Sequence, residues 1–273
     1  MKLNKKILLA ITTCFFIITI YFSIKKIKNL IQPSNTYAVQ EPIKSKIISY
    51  YYKISPHSHS IYNFLRRAYY LFGIPKKGII HIGARNAEEL PYYLNHNIKD
   101  ILWIEADPEC KDNLLKIISK HSGSKLAMFA ATDTNGLITF RKTSNDGHSS
   151  SILKLKNHLL HYPSIVETKS FQVKQQRLDN YLSKQEQQKY NVIVIDVQGA
   201  ELIALKGTIN MLDHIDAIIA ETNYDELYEG SVLIKDLDEF LSKHEFTRVE
   251  SVSTAFYTGD AMYVKNKFFV QRK

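Results

Sequence analysis

From residue 78 onward the chain alternates short, continuous apolar runs with stretches of helical periodicity. Continuous runs of this length mark strands buried on both faces. They predict strands over 78–82, 100–105, 126–131, 192–196 and 215–221. Two more, 137–141 and 171–175, flank a polar loop, Ser144 to Ser151, and 246–251 with 261–265 close the series. Helices are predicted over 61–72, 87–95, 200–206 (stopped by Gly207) and 233–243. A further helix opens at Asp107-Pro108, an N-cap followed by an N1 proline, and runs to Ser119. Strands separated by helices imply right-handed crossovers, hence an α/β fold with a mostly parallel sheet and helices on both faces.

Ahead of this body lies an uncharged run of 18 residues, Ile7 to Ile24, of which 11 are Ile, Leu or Phe. As a helix it rises about 27 Å, enough for a thin hydrocarbon core, and inserts with a gain of roughly 3–7 kcal/mol. It exceeds a usual signal-peptide core, and Lys25, Lys26 and Lys28 stand where small residues would mark cleavage. The reading is a short tail (1–6), a transmembrane signal anchor (7–24), a basic juxtamembrane linker with a packing helix (25–77) and a catalytic body (78–273). Lysines flank the span on both sides, so the positive-inside rule does not orient it. The absence of an N-x-Ser/Thr sequon leans towards a cytosolic body on a single-pass membrane protein.

Composition narrows the function. The formal charge of +9 invites a nucleic-acid partner. Residues 1–77 hold 13 Lys and Arg against one acid, whereas 78–273 hold 23 against 26. A duplex-binding body would carry the positive charge itself, so no nucleic acid is expected. The 45% hydrophobic content suits a globular core, and two cysteines, Cys14 and Cys110, give no disulfide framework.

In such sheets ligands sit beyond the carboxyl ends of the strands, near the topological switch point. His81-Ile-Gly83-Ala84 ends the first strand, and Gly83 lets backbone approach a ligand with no β-carbon between. Glu105 ends the second about 20 residues later, placed for the two hydroxyls of a ribose. Asp107 is assigned to the helix cap. The turn Gly83-Ala-Arg-Asn-Ala-Glu-Glu89 lacks the second glycine of a dinucleotide fingerprint, and Glu88 and Glu89 put negative charge where pyrophosphate would lie. S-adenosylmethionine, an adenosine cofactor without phosphate and with two positive centres, fits better.

These residues resemble the FkbM family of class I S-adenosylmethionine-dependent methyltransferases over about residues 78–265. The resemblance rests on His81-Ile-Gly-Ala-Arg-Asn-Ala-Glu-Glu89, Trp103-Ile-Glu-Ala-Asp-Pro108, Ala131-Thr-Asp133, Arg177-Leu-Asp179, Val194-Ile-Asp-Val-Gln-Gly-Ala-Glu201, Glu221-Thr-Asn223 and Gly259-Asp-Ala-Met-Tyr-Val-Lys265. The departure is Ala87, where the family usually has glycine. The resemblance implies a Rossmann-like class I methyltransferase sheet with antiparallel closing strands, and methyl transfer to a hydroxyl of a carbohydrate or other small-molecule acceptor. It implies cofactor contacts from His81, Gly83, Ala84, Glu105, Asp133 and Asp196, and catalytic acids at Asp196, Glu201 and Glu221.

Each of these has a structural alternative. Glu201 stands in a first helical turn, where acids are favoured anyway; Asp133 is equally a turn residue, and His81 a core side chain. His148 reads as a solvated loop residue. His158/His161 is a pair without a third ligand, so no metal is expected. The rivals are a membrane-anchored glycosyltransferase and an inactive methyltransferase-like scaffold. The first wants a metal-binding D-x-D, and Asp236-Leu-Asp238 falls inside a predicted helix with its side chains about 200° apart. The second leans on Ala87 alone.

Overall fold

The computed structural model describes residues 60–253 and 257–270, so the expected transmembrane segment lies outside the described residues. Among the described residues no helix is long and apolar enough to cross a membrane. The strands are β1 (Gly78–Ile82), β2 (Asp100–Glu105), β3 (Ser124–Met128), β4 (Ala130–Ala131), β5 (Gly136–Thr143), β6 (Glu167–Gln176), β7 (Tyr190–Ile195), β8 (Ala217–Asn223), β9 (Phe246–Ser253) and β10 (Thr258–Lys265). The α-helices are α1 (Ser60–Tyr70), α2 (Leu90–Asn95), α3 (Lys111–Ile118), α4 (His158–His161), α5 (Leu178–Tyr181), α6 (Lys184–Gln187), α7 (Glu201–Lys206), α8 (Ile234–Lys243) and α9 (Lys267–Val270).

Seven strands form one sheet in the order β3-β2-β1-β7-β8-β10-β9. Every pairing is parallel except those of β10, which runs antiparallel to both β8 and β9. The parallel sheet with antiparallel closing strands is the expected one. Its central strands β1 and β7 are buried at every position, because helices cover both faces. One face packs Ile80, Ile193 and Ile195 against Ala204 and Leu205 of α7. The other packs Ile79, Val192, Val194 and Trp103 against Phe64, Leu65 and Ala68 of α1, all three 0% exposed. An ion pair from Arg67 to the buried Glu250 ties α1 to β9. The expected packing helix is therefore an integral layer of the fold.

Two of the boundaries that differ from the expectation bear on the site. The strand expected over 126–131 is split: β3 ends at Met128, and after the buried Phe129 the chain leaves for a second sheet, β4-β6-β5. The helix expected from Ala87 begins only at Leu90, since Arg85 (φ +41°) and Ala87 (φ +50°) turn the chain through the left-handed region first.

Candidate active site

Strand order reverses between β1 and β7: β2 and β3 lie to one side, β8 to the other. A cleft opens at the carboxyl ends of these central strands, where such folds bind ligands. His81, Gly83, Ala84, Glu105 and Asp196, five of the residues singled out in the sequence, line it together.

Gly83 is required for a reason the sequence did not disclose. Its φ is +91°, and a β-carbon there would fall 1.8 Å from the backbone oxygen of Asp196. The glycine lets the β1 turn touch the end of β7 while its backbone still lines the cleft. Ala87, where the family usually has glycine, is buried at φ +50°, a left-handed conformation that glycine adopts without strain.

Glu105 is 6% exposed and organises the floor. One carboxylate oxygen accepts the Arg85 N–H at 2.7 Å and the other the Asp107 N–H at 2.7 Å. Burial pushes its pKa up, and these two hydrogen bonds oppose the shift. A carboxylate has about four acceptor sites, so it retains capacity for a vicinal diol. Asp107 caps the 3₁₀ turn Pro108–Cys110, accepting the Glu109 N–H at 2.9 Å, and takes Lys142 Nζ at 2.8 Å. Glu88, Glu89, Asp107 and Asp146 also line the cleft, with Arg85 as the cation among the described lining residues. That donor set fits a cationic cofactor carrying a ribose and opposes a pyrophosphate.

His81 is buried and neutral. Desolvation lowers its pKa to about 4 against the opposing charge of Asp196, and its Nδ1 meets the Tyr93 hydroxyl at 2.6 Å. Its ring lies 5.0 Å from that of Trp103. It is thus both a core side chain and part of the cleft wall.

Asp196, Glu201 and Glu221 converge, with one carboxylate oxygen of each lying within 4.8 Å of the others. They do so because Asp196 follows β7, Glu221 stands near the end of the neighbouring β8, and Glu201 opens α7. Glu201 is turned inward and accepts the N–H groups of Val197 at 3.0 Å and Gly199 at 3.2 Å. Burial, reinforced by the charge of Asp196, raises its pKa to about 7. Glu221 is pushed well above the usual range by burial first, then by Asp196, Glu201 and Asp260. Of the three, Asp196 reaches the cleft wall; Glu201 and Glu221 stand behind it. Among the described residues this trio is the group of acids close enough to hold a cation, which the sequence did not anticipate. Gln198 Nε2 already donates to Asp196 and Glu221 there.

Asp133 is not brought to the cleft. The chain has crossed to the second sheet by then, Phe129, Ala130 and Ala131 form the wall, and the Asp133 carbonyl accepts from Arg177 at 2.9 Å. His148 is exposed, as read, and also stands on the cleft wall, where its Nε2 contacts the Arg85 guanidinium. His158 and His161 have separate partners, Ser149 Oγ at 3.0 Å and Asp225 at 2.8 Å. Asp236 accepts the Leu233 N–H at the start of α8, and Asp238 accepts the Tyr263 hydroxyl. Sequence reasoning missed Gln198; the signal was its place inside the Asp196-to-Glu201 motif.

The strand order and the acid at the end of β2 define a Rossmann-like class I methyltransferase fold. The profile of the methyltransferase FkbM domain matches residues 81–247, and the chain belongs to that family. It is 28% identical over 178 residues to the 2-O-methyltransferase NoeI of Sinorhizobium fredii (strain NBRC 101917 / NGR234), covering 63% of this chain and 73% of that one. Solved structures that resemble it include an rRNA methylase from Streptococcus thermophilus (11% identity, TM-score 0.42, 84% of this chain and 99% of that one). Another is M. capricolum TrmK in complex with S-adenosyl-homocysteine (13%, TM-score 0.38, 73% and 68%). The protein is a methyltransferase whose cofactor is S-adenosylmethionine.

Proposed function

We propose that the protein transfers a methyl group to a hydroxyl oxygen of a carbohydrate or other small-molecule acceptor, while tethered to a membrane by residues 7–24. The carrying observation is the Asp196 carboxylate on the cleft wall at the carboxyl end of β7, with one oxygen held by Gln198. The name of the 28%-identical relative, a 2-O-methyltransferase, favours oxygen as the nucleophile. When bound, S-adenosylmethionine supplies a methyl group on a sulfonium, whose C–S electrons leave with sulfur. Glu105 would hold the ribose, the acidic wall would favour the positive centres, and the Asp196 carboxylate, oriented by Gln198, takes the hydroxyl proton. On this reading the catalytic body faces the cytosol, where the cofactor needs no import.

Calorimetric titration of the full-length protein with S-adenosylhomocysteine, with NAD and a UDP-sugar as controls, tests the site. Transfer of labelled methyl to a panel of sugars with free hydroxyls then tests the acceptor class. Binding of the UDP-sugar instead would favour a glycosyltransferase, and cofactor binding without transfer to any hydroxyl would point to a scaffold. Extraction of membranes with alkaline carbonate tests the tether; release into the wash would remove it.

A further inference from the structure

Gln198 bridges two acids that already meet at the ends of neighbouring strands, Glu221 being in hydrogen-bonding contact with Asp196. Its Nε2 donates to Asp196 Oδ1 at 2.8 Å and to Glu221 Oε2 at 2.8 Å. An amide nitrogen has two hydrogens, so one serves each acid and neither is left over. The other end of the amide is also held, because the buried Tyr228 hydroxyl donates to Oε1 at 2.8 Å. A flipped amide would turn its oxygen towards both carboxylates, which makes the assigned orientation the favourable one.

The backbone is held as firmly as the side chain. Gln198 lies at φ +54° and Gly199 at φ +93°, a left-handed pair that a non-glycine residue adopts only when its surroundings impose it. Glu201 imposes it from one side by accepting the Val197 and Gly199 N–H groups. Ser151 Oγ imposes it from the other by donating to the Gln198 carbonyl at 2.8 Å. The groups that face this cluster are His81 from β1, Glu201 from α7, Asp260 from β10 and Tyr228 beyond β8. His81 is neutral, so the amide supplies donors where no cation among these does.

We propose that Gln198 is a positioning residue for methyl transfer: its amide, locked by Tyr228, ties Asp196 to Glu221 and fixes the direction in which the Asp196 carboxylate meets an acceptor hydroxyl in the cleft. It acts through Asp196 and exchanges no proton itself. This deepens the hydroxyl-methyltransferase reading and rests on it.

The test follows carboxyl-carbon resonances of Asp- and Glu-labelled full-length protein across pH, in the wild type, Gln198→Met and Tyr228→Phe. Thermal melting reports whether each variant is folded. Methionine keeps the volume but donates nothing, and a lost hydrogen bond to an ionised carboxylate raises its titration. The midpoint of the cluster, read as a property of the group, rises by about one pH unit in Gln198→Met and by less in Tyr228→Phe. An unchanged or lower midpoint in folded Gln198→Met overturns the assignment. If that variant does not fold, an unchanged midpoint in Tyr228→Phe does so. S-adenosylhomocysteine calorimetry on the wild type separates the two readings. Absent binding sinks the methyltransferase function whatever the titration shows, and binding with an unmoved midpoint sinks only Gln198.

Discussion

Glu105 accepts the backbone N–H of Arg85 at 2.7 Å, joining the end of β2 to the turn that leaves β1. The acid proposed to face the ribose thus also shapes the turn beside it. Glu105→Gln would set an amide NH₂ against one of two backbone N–H donors. A hydrogen bond to a charged group contributes about 1.5–3 kcal/mol, so S-adenosylhomocysteine affinity should fall roughly 10- to 150-fold. Titration calorimetry reads this directly, and an unchanged affinity would remove Glu105 from the cofactor site.

Glu201 makes stability depend on pH with a definite sign. Its folded pKa is about 7 against an ordinary 4.5. Below 4.5 both states hold the proton and nothing is lost. Between those values the unfolded chain ionises while the folded one resists, so stability falls as pH rises and levels off above 7. The loss is of the order of 3 kcal/mol. Glu201→Gln keeps an acceptor for Val197 and Gly199 and should flatten this decline. Melting temperatures at pH 5 and pH 8 check it; an equal slope in both proteins would assign the effect elsewhere.

Gly83→Ala should be among the most damaging single-methyl additions. The added carbon would meet the Asp196 backbone oxygen at 1.8 Å from a φ of +91°. Left-handed strain alone costs about 1–3 kcal/mol, and the overlap forces the end of β7 away. We expect destabilisation beyond about 3 kcal/mol in denaturant melts, where a neutral result would show that the turn relaxes freely.

The α1 layer predicts a contrast between two leucines. Leu65 is 0% exposed against the sheet, and Leu160 is 76% exposed. Leu65→Ala should cost about 2–5 kcal/mol, and Leu160→Ala less than about 0.5 kcal/mol. Equal effects in urea titrations would mean that α1 is dispensable to the body.

What could be read from residues alone were the features whose cause is local. The apolar runs of β1 and β7 announce strands because no surface position could carry them. Glu105 could be located because it ends such a run, and a strand's end in a parallel sheet is a site by geometry. The Asp107-Pro108 cap and the Gly207 stop are equally local. The boundary at Ala87 was not legible, since the left-handed turns at Arg85 and Ala87 carry no compositional mark. Asp133 does not line the cleft, because the chain changes sheets at Phe129, and nothing within the run Leu126 to Ala131 reports which partner strand each residue will find.

The order of residues along the chain was enough to specify a mostly parallel α/β sheet, the cofactor class and the three acids beyond its central strands. How those acids differ depends on the folded arrangement. Asp196 opens to the cleft, Glu201 turns inward to hold a loop, and Glu221 is pressed behind both. That division arises from parallel neighbours β7 and β8 and from the hydroxyl of Tyr228, which lies 30 residues beyond the glutamine it locks. Ionisation and orientation depend on which groups surround a carboxylate in space, and those neighbours are set by strand pairing far along the chain.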